Sequence, residues 1–346
     1  MNSRELVFRS LRGEETPCAA SGPLAVHFCA RDRGVSLKDY SLNAQTLAEC
    51  VVRYYEKYKP DAVWLSADTW ITAQAAGAPV TIPDGDDPIG GSREAFIRSM
   101  EDLRKLAPPD PFRSGRQPLM LDAMRRVRHE LGDGVFIVGC FDQSPFSLAC
   151  ALSGINEMMT NLYDEEEFVA ALLERCVEYC VAYGTALAGA GADMLSTGDS
   201  PAALIGPELY RRWALPAERR VFSRLHEQTR AVVSLHVCGN SEPILADMAT
   251  SGADVLELDH LVPVEAACRL VPDSVAIWGN LDPVSTLMRG TPELVREQSN
   301  AALAACARAG RRRFVLSSGC TLAPDTPGAN LRALIDAARD WKPITA

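Results

Sequence analysis

Short apolar runs separated by helix-period stretches recur eight times along this chain. That alternation constrains the fold more than any other feature. The runs lie at residues 24–28, 62–66, 135–140, 192–196, 232–236, 254–258, 275–278 and 314–317. Between them, helix-period segments cover 44–57, 93–106, 165–189, 207–227, 241–250 and 292–309. Strand–helix alternation carried this far predicts an α/β fold of (β/α)8 TIM-barrel type. An open doubly wound sheet is the structural alternative, but no G-x-G-x-x-G follows any run. Residues 1–346 read as one domain, with 1–23 as an N-terminal helical lead-in, and no composition shift marks a linker.

In such barrels the chemistry sits where strands end and the following loops begin. The run Ser234-Leu235-His236-Val237-Cys238-Gly239 closes the fifth predicted strand. Alternate residues of a strand face the same way, so His236 and Cys238 point together. Cys320 stands in the same relation to the eighth run, Phe314-Val315-Leu316. Imidazole and thiolate are donors that zinc prefers, and three protein ligands leave a fourth position for substrate. His236, Cys238 and Cys320 are therefore candidate zinc ligands. The plainer alternative is a chance histidine beside two buried free thiols.

Polar residues recur at the other strand ends as well. They are His27 and Cys29 after strand one, Asp68 after two, and Cys140, Asp142 and Gln143 after three. Asp199 follows strand four, Asp259 and His260 follow six, and Asn280 and Asp282 follow seven. A ring of this kind suits a deep site for a polar substrate. Asp68, Asp199, Asn280 and Gln143 are the candidate lining groups. Acids at strand ends also cap helices and form turns; that is the reading for Asp142 and Asp282, and for Asp68 and Asp199 both readings stand. Cys176 and Cys180, four apart on a helix, read as small core thiols. Two breaker-rich stretches, 77–92 and 107–118, read as loops that cover the mouth, the acidic run 84–87 being solvated. Arg311-Arg312-Arg313 reads as solvated at the lower rim.

The formal charge of −10 and the pI near 5.1 argue against a nucleic-acid or anionic-membrane surface. The 11 cysteines show no framework spacing and fit a reducing cytoplasm. Residues 2–11 form an amphipathic helix with a Ser or Asn cap rather than a signal peptide, and no run of 18 apolar residues occurs. A soluble cytoplasmic protein is expected.

Several stretches resemble the uroporphyrinogen decarboxylase superfamily, whose members are (β/α)8 barrels. They are Gly279-Asn280-Leu281-Asp282-Pro283, Ser144-Pro145-Phe146-Ser147-Leu148-Ala149, and the segment from Asp193 to Leu215. Ser318-Gly319-Cys320, with Pro324-Asp325-Thr326-Pro327 and Asn330-Leu331 after it, is similar to the corrinoid-dependent methyltransferase branch, which includes methylcobamide:coenzyme M methyltransferases. That branch carries His-x-Cys-Gly and a distant Cys as its zinc site, so the resemblance likewise implies His236, Cys238 and Cys320 as ligands. The segment Ala253-Asp254-Val255-Leu256-Glu257-Leu258-Asp259 is similar to the stretch bearing the acidic zinc ligand of cobalamin-independent methionine synthase. This implies Asp259 as a fourth ligand, displaced by substrate. A buried acid paired with a cation is the other reading of Asp259.

The resemblance implies a zinc-dependent methyltransferase that moves a methyl group between a small thiol or methylated substrate, such as a methyl ether, and cobalt of a corrinoid. No Asp-x-His-x-x-Gly occurs here, so the corrinoid would be carried by a partner protein. The alternative is a metal-free uroporphyrinogen-type decarboxylase, with Asp68 acting on pyrrole nitrogens. The Arg-rich opening that binds porphyrinogen carboxylates in those enzymes is missing from His27-Phe28-Cys29-Ala30-Arg31-Asp32-Arg33.

Overall fold

A computed structural model describes residues 1–83, 87–91 and 94–342. Its main sheet has eight parallel strands: β1 (Ala20–Ser21), β2 (Ala62–Leu65), β3 (Phe136–Gln143), β4 (Met194–Gly198), β5 (Val232–Val237), β6 (Val255–Leu258), β7 (Ala276–Leu281) and β8 (Phe314–Ser318). The spatial order is β1-β8-β7-β6-β5-β4-β3-β2. The two end strands meet where the Asp61 amide donates to Ser21 O (3.0 Å) and the Ser21 amide donates to Asp61 Oδ2 (2.9 Å). The sheet thus curls into a near-closed barrel. A two-stranded hairpin, Val80–Thr81 with Gly90–Gly91, lies outside it.

Period-two alternation sorts the strand side chains. Ala62, Trp64, Phe136, Val138, Met194, Val255, Ala276, Trp278 and Val315 share a buried cluster with Leu6, Val7 and Leu11 of helix Ser3–Arg12, which packs against the base of the barrel. Their strand neighbours Val63, Leu65, Ile137, Leu195, Leu256 and Ile277 pack in the cluster formed with the surrounding helices. The first helix is capped by Asn2, whose side chain accepts from the Glu5 amide, in line with the sequence expectation. Among the described residues no helix is long and apolar enough to cross a membrane.

Seven predicted strands are found within a few residues of their runs. The first is not. β1 sits at Ala20–Ser21, inside the stretch read as lead-in, and residues 24–28 are not a strand. Gly22-Pro23 is the physical reason, because Pro23 has no N–H to continue a ladder. Gly22 O instead accepts from the indoles of Trp278 (2.9 Å) and Trp64 (3.2 Å) and from Ser317 Oγ (2.9 Å). A Cβ at position 22 would lie 2.1 Å from the Trp278 ring, so only glycine fits. His27 and Cys29 accordingly belong to helix His27–Arg33 rather than to a strand end.

Three helical expectations are also corrected. Of the segment 93–106, the described residues 94–106 are helical only over Met100–Lys105, capped by the Ser99 side chain. The stretch 241–250 is two short turns, Glu242–Ile244 and Leu245–Met248. The segment 207–227 is interrupted by a π-turn at Tyr210–Ala214 before helix Leu215–Gln228. Pro216 lacks the N–H that residue 212 would receive, which favours the wider turn. Arg311 is not solvated: it is 5% exposed, and its Nη1 donates to Val271 O at 2.8 Å. Cys176 and Cys180 are core thiols as expected. Most of the acidic run, 84–86, lies outside the described residues.

Candidate metal centre

On β5 the inward positions read Val232, Ser234, His236. On β6 they read Val255, Glu257. The lumen therefore changes from apolar at its base to polar towards its mouth. Register aligns His236 with Gly198 on β4 and with Glu257 on β6. Cys238 follows the last residue of β5, and Cys320 comes two residues after β8.

These strand ends bring His236, Cys238 and Cys320 together, one donor atom of each lying within 4.8 Å of the others. His236 Nε2 is 2.9 Å from Cys238 Sγ, and the two sulfurs are 3.6 Å apart. The other imidazole nitrogen, Nδ1, is 2.9 Å from the Glu257 carbonyl oxygen. A carbonyl only accepts, so Nδ1 carries a proton and Nε2 is the nitrogen turned to the sulfurs. That arrangement is the one a metal-ligating histidine requires.

The three donors share their protons unequally. The hydrogen bond from Cys320, and then the His236 imidazolium, pull the Cys238 thiol down to about 3. Its thiolate pushes Cys320 well above the ordinary thiol range. Burial works against the His236 cation, but the Cys238 thiolate and the Glu257 carboxylate raise its pKa to about 9. A cation bound among these atoms would displace the protons that they share. The donor set, two sulfurs and one imidazole with its tautomer fixed, fits zinc.

Glycines shape the approach of both cysteines. Gly239 has φ +85, and its amide donates to Asp259 Oδ2 at 2.9 Å. A Cβ on Gly319 would lie 2.4 Å from the His260 amide nitrogen, so the chain before Cys320 passes too close for any other residue.

Of the remaining predicted site residues, all but Gln143 have side-chain partners in the protein. Asp259 lies outside the three-residue donor group; besides Gly239 it accepts from the Leu261 amide (2.9 Å) and pairs with His260 Nδ1 (3.0 Å). Asn280 Nδ2 donates to Asp259 O (3.1 Å) and Val262 O (2.6 Å), which ties the β6 and β7 loops together. Asp68 is gripped by two nitrogens of buried Arg116, and its Oδ1 also accepts from the Trp70 amide at 2.9 Å. Asp199 is 0% exposed, accepting from the Ser147 amide at 2.6 Å. Gln143 keeps a buried side-chain oxygen without a partner. Asp142 accepts from the Thr72 amide (3.2 Å), and Asp282 from the Val284 and Ser285 amides (2.7 and 2.8 Å). Turn formation therefore accounts for Asp282.

Sequence reasoning missed Glu257, which is 2% exposed, bonds Ser234 Oγ through one oxygen and leaves the other without a partner. Burial raises its pKa, opposed by the His236 charge. Its signal was available: a lone acid at an inward position of an otherwise apolar strand. Arg116 carried no comparable signal, since its tie to Asp68 spans 48 residues.

The uroporphyrinogen decarboxylase (URO-D) family profile matches residues 2–341. A methylcobamide:CoM methyltransferase, MtbA of Methanosarcina acetivorans, is 35% identical over 248 residues, 71% of this chain and 70% of that protein. A uroporphyrinogen decarboxylase of Prochlorococcus marinus is 26% identical over 355 residues, covering 98% of this chain and 97% of its own length. The solved structure of a methyltransferase from Methanosarcina mazei shares the fold with a TM-score of 0.89, at 22% identity and with 98% and 99% of the two chains covered. The chain belongs to the uroporphyrinogen decarboxylase (URO-D) family.

Proposed function

We propose that this protein is a zinc-dependent methyltransferase, moving a methyl group between a small thiol or methylated substrate and the cobalt of a partner corrinoid protein. The observation that carries the proposal is the convergence of His236 Nε2 with the Cys238 and Cys320 sulfurs at the barrel mouth. The similarity to MtbA, named a methylcobamide:CoM methyltransferase, supports the reaction class and makes coenzyme M the first thiol to test.

His236, Cys238 and Cys320 would hold the metal. Zinc in such a site supplies a Lewis acid that keeps a substrate thiol ionised at neutral pH. The protein's own part is orientation. The Glu257 carbonyl fixes the imidazole, and Asp259 fixes the Cys238-Gly239 turn. Asp259 remains the candidate for the fourth position when no substrate is bound. Gln143, with its free oxygen, is the candidate to orient the substrate; Asp68, Asn280 and Asp199 would act by shaping the walls. Methyl ethers are the alternative substrates, and the cytoplasm is the proposed compartment. The decarboxylase reading needs Asp68 free for pyrrole nitrogens, whereas Arg116 holds it from two sides.

The test is metal content, measured beside methyl transfer from methylcobalamin to coenzyme M, in the wild type and in His236→Ala and Cys320→Ser variants. About one zinc per chain is expected, lost together with activity in both variants. A folded protein that takes up no zinc on reconstitution would overturn the proposal and bring the decarboxylase reading forward.

A further inference from the structure

Away from the mouth, helices Val264–Leu270 and Pro292–Arg308 bring a second pair of cysteines together. Cys268 Sγ lies 3.9 Å from Cys306 Sγ. Cys268 is partly exposed, and Cys306 is buried. Arg311 lies close by; its guanidinium is held by the carbonyls of Val271 and Val275, and its Nε is buried without a partner. The hydrogen bond with Cys306, and then the Arg311 charge, lower the Cys268 thiol pKa, while the same bond raises that of Cys306. A cavity of about 420 Å³ has Cys306 and Arg311 on its wall.

We propose that Cys268 and Cys306 form an oxidisable dithiol, a modification site whose oxidant is a low-molecular-weight disulfide. Exposure and distance set the order of events. The Cys268 thiolate attacks one sulfur of the small disulfide, releasing one small thiolate and leaving a mixed disulfide on Cys268. Cys306 then loses its proton and attacks the Cys268 sulfur, expelling the second small thiolate. Two protein thiols and one small disulfide become one protein disulfide and two small thiols. The sulfurs must close from 3.9 Å to about 2.05 Å. Side-chain rotation and a slight slide of the short helix Val264–Leu270 can supply that movement. The bond would tie together the helices on either side of β7, the strand whose end carries Asn280 and Asp282. The inference is independent of the methyltransferase reading.

The experiment treats zinc-supplemented protein with oxidised glutathione, digests it without reduction and maps the linked peptides. A Cys268–Cys306 link is expected, with the loss of two titratable thiols. Cys306→Ser should trap glutathione on Cys268, with Cys306→Ala used if the serine variant fails to fold. Cys268→Ser should leave Cys306 unmodified. The Cys238 and Cys320 sulfurs are also close, at 3.6 Å, so the treatment is repeated in a Cys238→Ser background, where the 268–306 link should persist. An unmodified Cys268 in the position-306 variants, or no 268–306 link in either background, overturns the proposal.

Discussion

The two sides of the barrel mouth hold polar groups in opposite conditions. At the ends of β5 and β8, the atoms Nε2 of His236 and Sγ of Cys238 and Cys320 face chiefly one another. At the ends of β2, β3 and β4, the acids are engaged by the protein: Asp68 by Arg116, Asp142 by Thr72, Asp199 by the Ser147 amide. A buried acid with a fixed partner is part of the scaffold, because removing either member strands the other. Soft donors that have only each other are open to an added ion. Position at a strand end is common to both groups, so it does not by itself distinguish a site from a scaffold.

The largest expected effect is on the sulfur side. Cys238→Ser or Cys320→Ser should abolish zinc retention and lower methyl transfer by about a thousandfold or more, while the denaturation midpoint of the apoprotein changes little. Comparing zinc content with urea unfolding separates the two quantities. A variant that keeps zinc and activity would erase the contrast between the two sides. The opposite result is expected at the acid side. Arg116→Met leaves the Asp68 carboxylate buried and unpaired, costing about 3–5 kcal/mol of stability. The double variant Asp68→Asn/Arg116→Met should recover most of that loss, and zinc per folded chain should stay unchanged in both. Loss of zinc in folded Arg116→Met would show that the two sides are coupled.

How far the sequence could be read follows from the same difference. The barrel was legible because apolar runs and helix periods are local patterns. The clustering of His236 with Cys238 was legible because period-two geometry places both on one face. β1 was not, because two residues leave almost no periodic signal and Pro23 displaces the apolar run after them into a turn and helix. The condition of the acids was also hidden. Asp68 and Asp199 look alike at their strand ends, and only tertiary partners 48 and 52 residues away show that both are held by the protein. Asn280 is a similar case: its amide group braces two neighbouring loops, a role that depends on where the Asp259 and Val262 carbonyls fall.

Asp259 lies between the two conditions, and a smaller effect is expected there. It holds the Gly239 and Leu261 amides yet sits beside the metal group. Asp259→Asn keeps one accepting oxygen and turns an NH2 towards the other amide, which loosens the turn after Cys238. Zinc should still bind at about one per chain, with affinity reduced about 10–100-fold, the usual cost of disturbing a group that orients a ligand. Competition with a chelator measures this. Unchanged affinity would remove the bracing role.

The smallest effect sharpens the acid side through pH. Asp199 and Glu218 are both fully buried. Burial raises Asp199 to about 6, and burial together with the Asp199 charge raises Glu218 well above the usual carboxylate range. Unfolded aspartate titrates near ~3.9, so the folded state binds the proton more tightly. The stabilisation is then complete below about pH 4 and is lost as pH rises through about 6. Tyr210 OH donates to Glu218 Oε2 at 2.6 Å, and Asp199 Oδ2 and Glu218 Oε1 have no further partner among the described residues. Glu218→Gln would keep an oxygen for Tyr210 and offer an NH2 to Asp199, favouring its ionised form. Between pH 5 and 8, with zinc bound, the variant's unfolding free energy should fall less steeply than the wild type's. By pH 8 it should lead by about 1 kcal/mol. Zinc content should not change. Parallel pH profiles for the two proteins would mean that Asp199 and Glu218 do not titrate as a pair, and that the buried acids of this wall are satisfied one at a time.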